Sequence, residues 1–188
     1  MTRTPFRLSI LTLTTALTAL VLPGSAQAAP YCGITWGSPA KTHTAADTEK
    51  VNDVRAGRHA CFDRLVIDVG GQDASFDSYD VRYVTQVRSD GAGDPVPVRG
   101  AADLQIVVRA PAYDEQYGPT FTPANPREVV DVAGYSTFRQ VAWAGSFEGQ
   151  TTLALGVRAR LPFRVFTLDG VPNSGDTPRV VIDVAHRW

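Results

Sequence analysis

The residues best placed to do chemistry belong to a repeated segment. Arg64-Leu65-Val66-Ile67-Asp68-Val69 recurs toward the C-terminal end as Arg179-Val180-Val181-Ile182-Asp183-Val184. Side chains in an extended strand alternate between faces. Leu65, Ile67 and Val69 therefore share one face, and Arg64, Val66 and Asp68 the other; the second copy divides in the same way. Burying the aliphatic triplets leaves an Arg and an Asp of each copy on the wetter face. A guanidinium presents paired N–H donors that match carboxylate and phosphate oxygens. Arg64, Asp68, Arg179 and Asp183 are thus candidates for binding an anionic ligand, with cross-strand ion pairing as the structural alternative. Arg82 is a further candidate, and its neighbour Tyr83 must face the opposite way.

A second group lies between Pro111 and Pro126, where four prolines forbid a central strand and predict a long loop. Tyr113 and Tyr117 there have faces suited to stacking on sugar rings or apolar groups, or to pinning the loop to the core. Asp114 and Glu115 between them are the carboxylates to consider for glycoside hydrolysis, the alternative being a solvated loop. Other chemistry finds no pattern. His43, His59 and His186 have no metal-binding spacing, and Ser146 lacks the G-x-S-x-G nucleophile elbow. Gly70-Gly71 opens no phosphate loop, and Asp90 and Asp94 do not match an EF-hand. No catalytic residue, metal or cofactor is expected.

These residues must be positioned by strands. From Val51 onward, short β-rich runs alternate with turn residues, which predicts an all-β fold, a two-sheet β-sandwich of about eight or nine strands. The expected strands are Lys50–Arg55, Phe62–Val69, Tyr79–Val87, Asp103–Ala110, Arg127–Val132, Phe138–Gly145, Thr151–Arg158, Phe163–Leu168 and Arg179–Ala185. Residues 29–49 read as an N-terminal arm, with Trp36 packing on a domain that spans 50–188.

Residues 1–28 have the order of a secretory signal peptide: Arg3 and Arg7, an apolar stretch from Leu8 to Leu22, then Ala26-Gln27-Ala28 as a small-x-small cleavage site. The apolar stretch is short for a membrane span, so a soluble product with no stable membrane anchor after signal cleavage is expected. The chain has 188 residues, 18 Lys plus Arg and 19 Asp plus Glu, for a net charge of −1. Removal of the signal makes it more acidic, which argues against nucleic acid as a partner. Only Lys41 and Lys50 are lysine; the remaining basic residues are arginine, a bias that a GC-rich genome produces without functional cause. Export to an oxidising compartment predicts that the only two cysteines, Cys32 and Cys61, form a disulfide.

The Arg-aliphatic-aliphatic-aliphatic-Asp-aliphatic hexapeptide resembles the opening strand of the AMIN domain, a non-catalytic module of bacterial cell-wall amidases and secretins. The wider chain resembles the secreted AMIN-like proteins of actinobacteria. The stretches that carry this are Val54–His59, Cys61–Asp68, Tyr79–Tyr83, Pro95–Val98, Phe138–Trp143 and Leu161–Phe166, so the likeness covers about Val51 to Trp188. The resemblance implies a β-sandwich whose outer sheet faces expose motif residues. It also implies an extracytoplasmic cell-envelope location and binding to peptidoglycan, another cell-wall polymer or an envelope protein, without catalysis. The alternative expectation is a secreted hydrolase of cell-wall glycan or peptide using Asp114 and Glu115.

Overall fold

The computed structural model describes residues 31–46, 49–71, 73–171 and 174–188. The signal-peptide reading of residues 1–28 lies outside them. Alternation of aliphatic and polar residues, interrupted by turns, yields an all-β chain. Its strands are β1 (Lys41–His43), β2 (Lys50–Arg58), β3 (Phe62–Gly70), β4 (Tyr79–Val84), β5 (Val87–Arg88) and β6 (Pro95–Val96). They continue with β7 (Ala102–Val108), β8 (Phe138–Phe147), β9 (Gln150–Val157), β10 (Phe163–Leu168) and β11 (Arg179–Ala185). One sheet has the order β10-β11-β3-β2 and a second the order β1-β4-β7-β9-β8, while β5 and β6 form a separate hairpin. All pairings are antiparallel.

The two large sheets face each other through their aliphatic sides. Val51, Leu65, Ile67, Val69, Val180, Ile182 and Val184 meet Val81, Leu104, Ile106, Val141, Leu153 and Leu155, all of them buried. Burying each such side chain stabilises the fold by roughly 1.5–3 kcal/mol relative to exposure. The inward and outward assignments of both hexapeptide copies are therefore correct, and the arginines and aspartates lie on the outer side of the four-stranded sheet.

Several expected boundaries differ. The run expected as one strand over Tyr79–Val87 divides, with β4 ending at Val84 and Val87 starting the separate β5–β6 hairpin. Arg127–Val132 is not a strand. It is a loop laid against β8, bonded there by Trp143 N–H to Pro126 O and Val129 N–H to Val141 O. Conversely, the stretch read as an irregular arm contains β1, which extends the five-stranded sheet beside β4. Three residues are too few for a period-2 pattern to register.

The outer faces of the two sheets are not equivalent. Ala142, Ala144, Ala154 and Gly156 are small, and the segment carrying β5 and β6 packs across them with Val87, Val96 and Val98. At Gly156 the approach is so close that a Cβ would lie 1.9 Å from the carbonyl oxygen of Arg99. Asp90 N–H donates to Ala144 O and Arg99 N–H to the Gln140 side chain, which fastens the cover. Much of the five-stranded sheet is thus covered by its own chain, and the four-stranded sheet has the more open outer face.

Candidate functional site

The site is built on the two hexapeptides. β3 and β11 are adjacent and antiparallel, in a register that sets Arg64 opposite Asp183, Val66 opposite Val181 and Asp68 opposite Arg179. The repeat is thus self-complementary about the Val66–Val181 pair. On the next strand over, β10 places Arg164 beside Asp183 and Phe166 beside Val181.

Asp183 is completely buried and is clamped by two guanidinium groups. Arg64 donates to its two oxygens at 2.6 and 2.9 Å, and Arg164 Nε donates at 2.8 Å. Two cations on one carboxylate leave this cluster with an excess positive charge. Aromatic faces accommodate that excess: Arg64 lies over Phe62 and Phe166, and Arg164 over Trp36, Phe62 and Phe166. Such contacts contribute about 0.5–2 kcal/mol each. Trp36 packs against Phe62 and is held there by the Cys32–Cys61 disulfide and by its indole N–H to Tyr31 O.

Next to this cluster is a groove of about 320 Å³. Arg55, His59, Arg64 and Arg179 line it over a floor that includes Gly57, Val66 and Val181, and no carboxylate is among the lining residues. Asp68 is engaged by Arg55 in a two-bond pair at 2.7 Å. Arg179 donates to Asp176, while its Nε is buried and makes no hydrogen bond to the described residues. A neighbouring depression holds the acids Asp53, Asp68 and Asp176. The face is therefore polar in an ordered way, with a cationic groove at one end and a mixed-charge surface at the other.

The family model of the AMIN-like domain matches residues 49–186, from just before β2 to just after β11. The chain belongs to the AMIN-like domain family. No curated protein and no solved structure matches it.

Within this AMIN-like domain the candidate residues separate into three places. Arg64, Asp68, Arg179 and Asp183 share the outer face of the four-stranded sheet, but Asp183 has no exposed surface and serves to anchor arginines rather than to meet a ligand. Arg82 is elsewhere, on β4 of the other sheet. It pairs with Asp80, which also accepts from Thr42 Oγ1. Arg82 beside Asp80 holds that carboxyl below its ordinary range, despite an opposing push from burial. Tyr113 and Tyr117 lie in the loop before β8.

Asp114 is occupied within its own turn, accepting from Gln116 N–H at 2.9 Å and Gly118 N–H at 2.7 Å. Glu115 pairs with Lys50 at 2.8 Å, and that contact lowers its pKa. A glycosidase general acid needs the opposite shift. His43 bonds at Asp77, His186 meets buried Asp63, and Ser146 Oγ bonds to backbone and Thr151. Among the described residues, no three His, Cys, Asp or Glu side chains converge in a metal-binding group, and no helix is long and apolar enough to cross a membrane.

Arg55, Arg164 and His59 were not legible as site residues. Each has an outward position readable by alternation or proximity to a turn, but its neighbours are set by strand register, which local sequence does not contain.

Proposed function

We propose that this AMIN-like protein is a secreted, non-catalytic module that binds an anionic group of the cell-wall polymer through the groove of its four-stranded sheet. The observation carrying this reading is the groove itself, with three guanidinium groups and His59 around a floor of small and aliphatic residues and no acid among its lining. Arginine forks suit the carboxylates of peptide stems and the phosphates of wall polymers. Rigid strands hold the donors in place before the ligand arrives, which lowers the ordering cost of binding. Family membership and the more open outer face of this sheet support the same choice.

Sedimentation with purified sacculi tests it. The secreted protein is expected to pellet at low salt and to be released as salt rises. Arg55→Ala and Arg179→Ala are each expected to weaken pelleting while leaving the Asp183 clamp intact. Sacculi stripped of phosphodiester polymers by hydrofluoric acid separate the two anions: retained binding assigns stem carboxylates, lost binding assigns phosphate. Wild-type protein left wholly in the supernatant at low salt would overturn the proposal.

A further inference from the structure

We propose a second, uncharged-ligand site: a tyrosine platform at one end of the sandwich, formed by Tyr113 and Tyr117, that stacks on a sugar ring of a glycan strand. The choice of an N-acetylhexosamine rests on the cell-wall reading above, but the platform makes no use of the arginine groove.

Residues 113–119 form a tight hairpin closed by the bridge between Tyr113 and Pro119 and by Asp114 N–H to Gly118 O. The two tyrosine rings stack with centroids 5.8 Å apart and planes 23° apart. Tyr113 is fixed from below, its hydroxyl accepting from Gly149 N–H at 3.1 Å in the β8–β9 turn. Tyr117 is 83% exposed and has a φ of 61°, in the left-handed region that disfavours a residue with a Cβ. Glycine would relieve that conformation, and a ring so exposed adds almost nothing to the core. The turn therefore holds an aromatic face toward solvent at a conformational cost, a combination found at ligand-binding loops.

The surroundings select the occupant. Asp114, Glu115 and Glu148 lie on the same two loops, and Lys50 pairs with Glu115 at 2.8 Å. This acidic rim repels a phosphate-rich polymer or an anionic membrane surface and supplies acceptors for sugar hydroxyls and amide N–H groups. A rigid aromatic face with hydrogen-bond acceptors around it suits the apolar side of a pyranose.

Titration with the N-acetylglucosamine tetramer, followed by the tyrosine side-chain resonances of the intact protein, tests the platform. Saturable shifts at Tyr113 and Tyr117 are expected. Tyr117→Phe should retain binding, and Tyr117→Gly should weaken it several-fold, up to roughly tenfold, the size of one aromatic contact. Because glycine suits the turn, Tyr117→Gly should melt no lower than wild type, which separates loss of a contact from loss of the fold. Arg179→Ala should bind the tetramer normally. Absence of saturable shifts at millimolar tetramer, or unchanged binding by Tyr117→Gly, overturns the platform. So does Tyr117-dependent capture by phosphatidylglycerol vesicles. Tetramer binding without sacculus pelleting removes the arginine groove alone; pelleting without tetramer binding removes the platform alone.

Discussion

Arg179 stands directly opposite Asp68 on adjacent strands, yet its guanidinium is bonded to Asp176 while Asp68 is held by Arg55. At the other end of the same strand pair, Arg64 and Asp183 bond to each other. The repeat is symmetric in sequence and in backbone register but asymmetric in chemistry. The neighbours explain it: β10 brings Arg164 to one end, whereas β2 and the turn before β11 bring Arg55 and Asp176 to the other. That asymmetry gives Arg64 and Arg164 a fully buried carboxylate at one end and leaves Arg55 and Arg179 with more exposed partners at the other, while Arg64 also lines the groove.

Asp183→Asn is expected to destabilise the fold by about 3–5 kcal/mol, since it leaves Arg64 and Arg164 without their shared buried carboxylate. Asp68→Asn should cost about 1 kcal/mol or less, because its partner Arg55 is half exposed. Urea unfolding of both variants measures the difference, and equal losses would contradict it.

Tyr83 is expected to resist ionisation after ordinary tyrosines have titrated. Burial, its main perturbation, raises its pKa to about 12. Its hydroxyl donates to Leu161 O at 2.7 Å and accepts from Leu161 N–H at 3.1 Å. The raised value means a contribution to stability fully present below pH 10 and lost as pH rises toward 12. Tyrosinate absorbance of wild type and Tyr83→Phe shows it: the variant should lack the latest-titrating step.

Asp90→Asn should stabilise the protein at neutral pH. Burial raises the Asp90 pKa, although one oxygen accepts from Gln150 at 2.9 Å and from Thr152 at 3.0 Å. A raised carboxyl favours the fold while protonated, and that contribution is lost as pH rises from the unfolded value near 3.8 through the folded one. Thermal melts should therefore show an Asn advantage at pH 7 that shrinks below pH 3.8.

Reduction of Cys32–Cys61, which closes a separation of 29 residues, should lower stability by roughly 3–4 kcal/mol on the chain-entropy model. It should also free Trp36 from Phe62 and the arginine cluster, shifting its emission to the red. An unchanged Trp36 environment in the Cys32→Ser, Cys61→Ser protein would show that the disulfide does not hold the arm.

Much of the fold was legible because the relevant residues alternate. Leu65, Ile67 and Val69 announce a one-sided strand from their types alone, and so do Val180, Ile182 and Val184. Arg64 and Arg179 were marked as candidates by the repeat. What alternation does not carry is partnership. Arg164 reaches Asp183 through the β10–β11 register, and Arg82 is separated from the groove because β4 joins the other sheet. Which outer face stays open was hidden for a similar reason. Ala142, Ala144, Ala154 and Gly156 read as unremarkable small residues until the β5–β6 segment lies on them.

The self-complementary register has a consequence for assembly. β11 is an interior strand of its sheet, so β3 lacks one neighbour until residues 179–185 dock. A chain in that state carries a hexapeptide able to pair with itself: antiparallel to a second copy, Arg64 would face Asp68, Leu65 would face Ile67, and Val66 would face Val66. Intramolecular closure thus competes with exchange of strands between molecules, and the competing contact reproduces the native charge pattern. Dilution favours the monomer, because docking of β11 is first order while strand exchange is second order in protein.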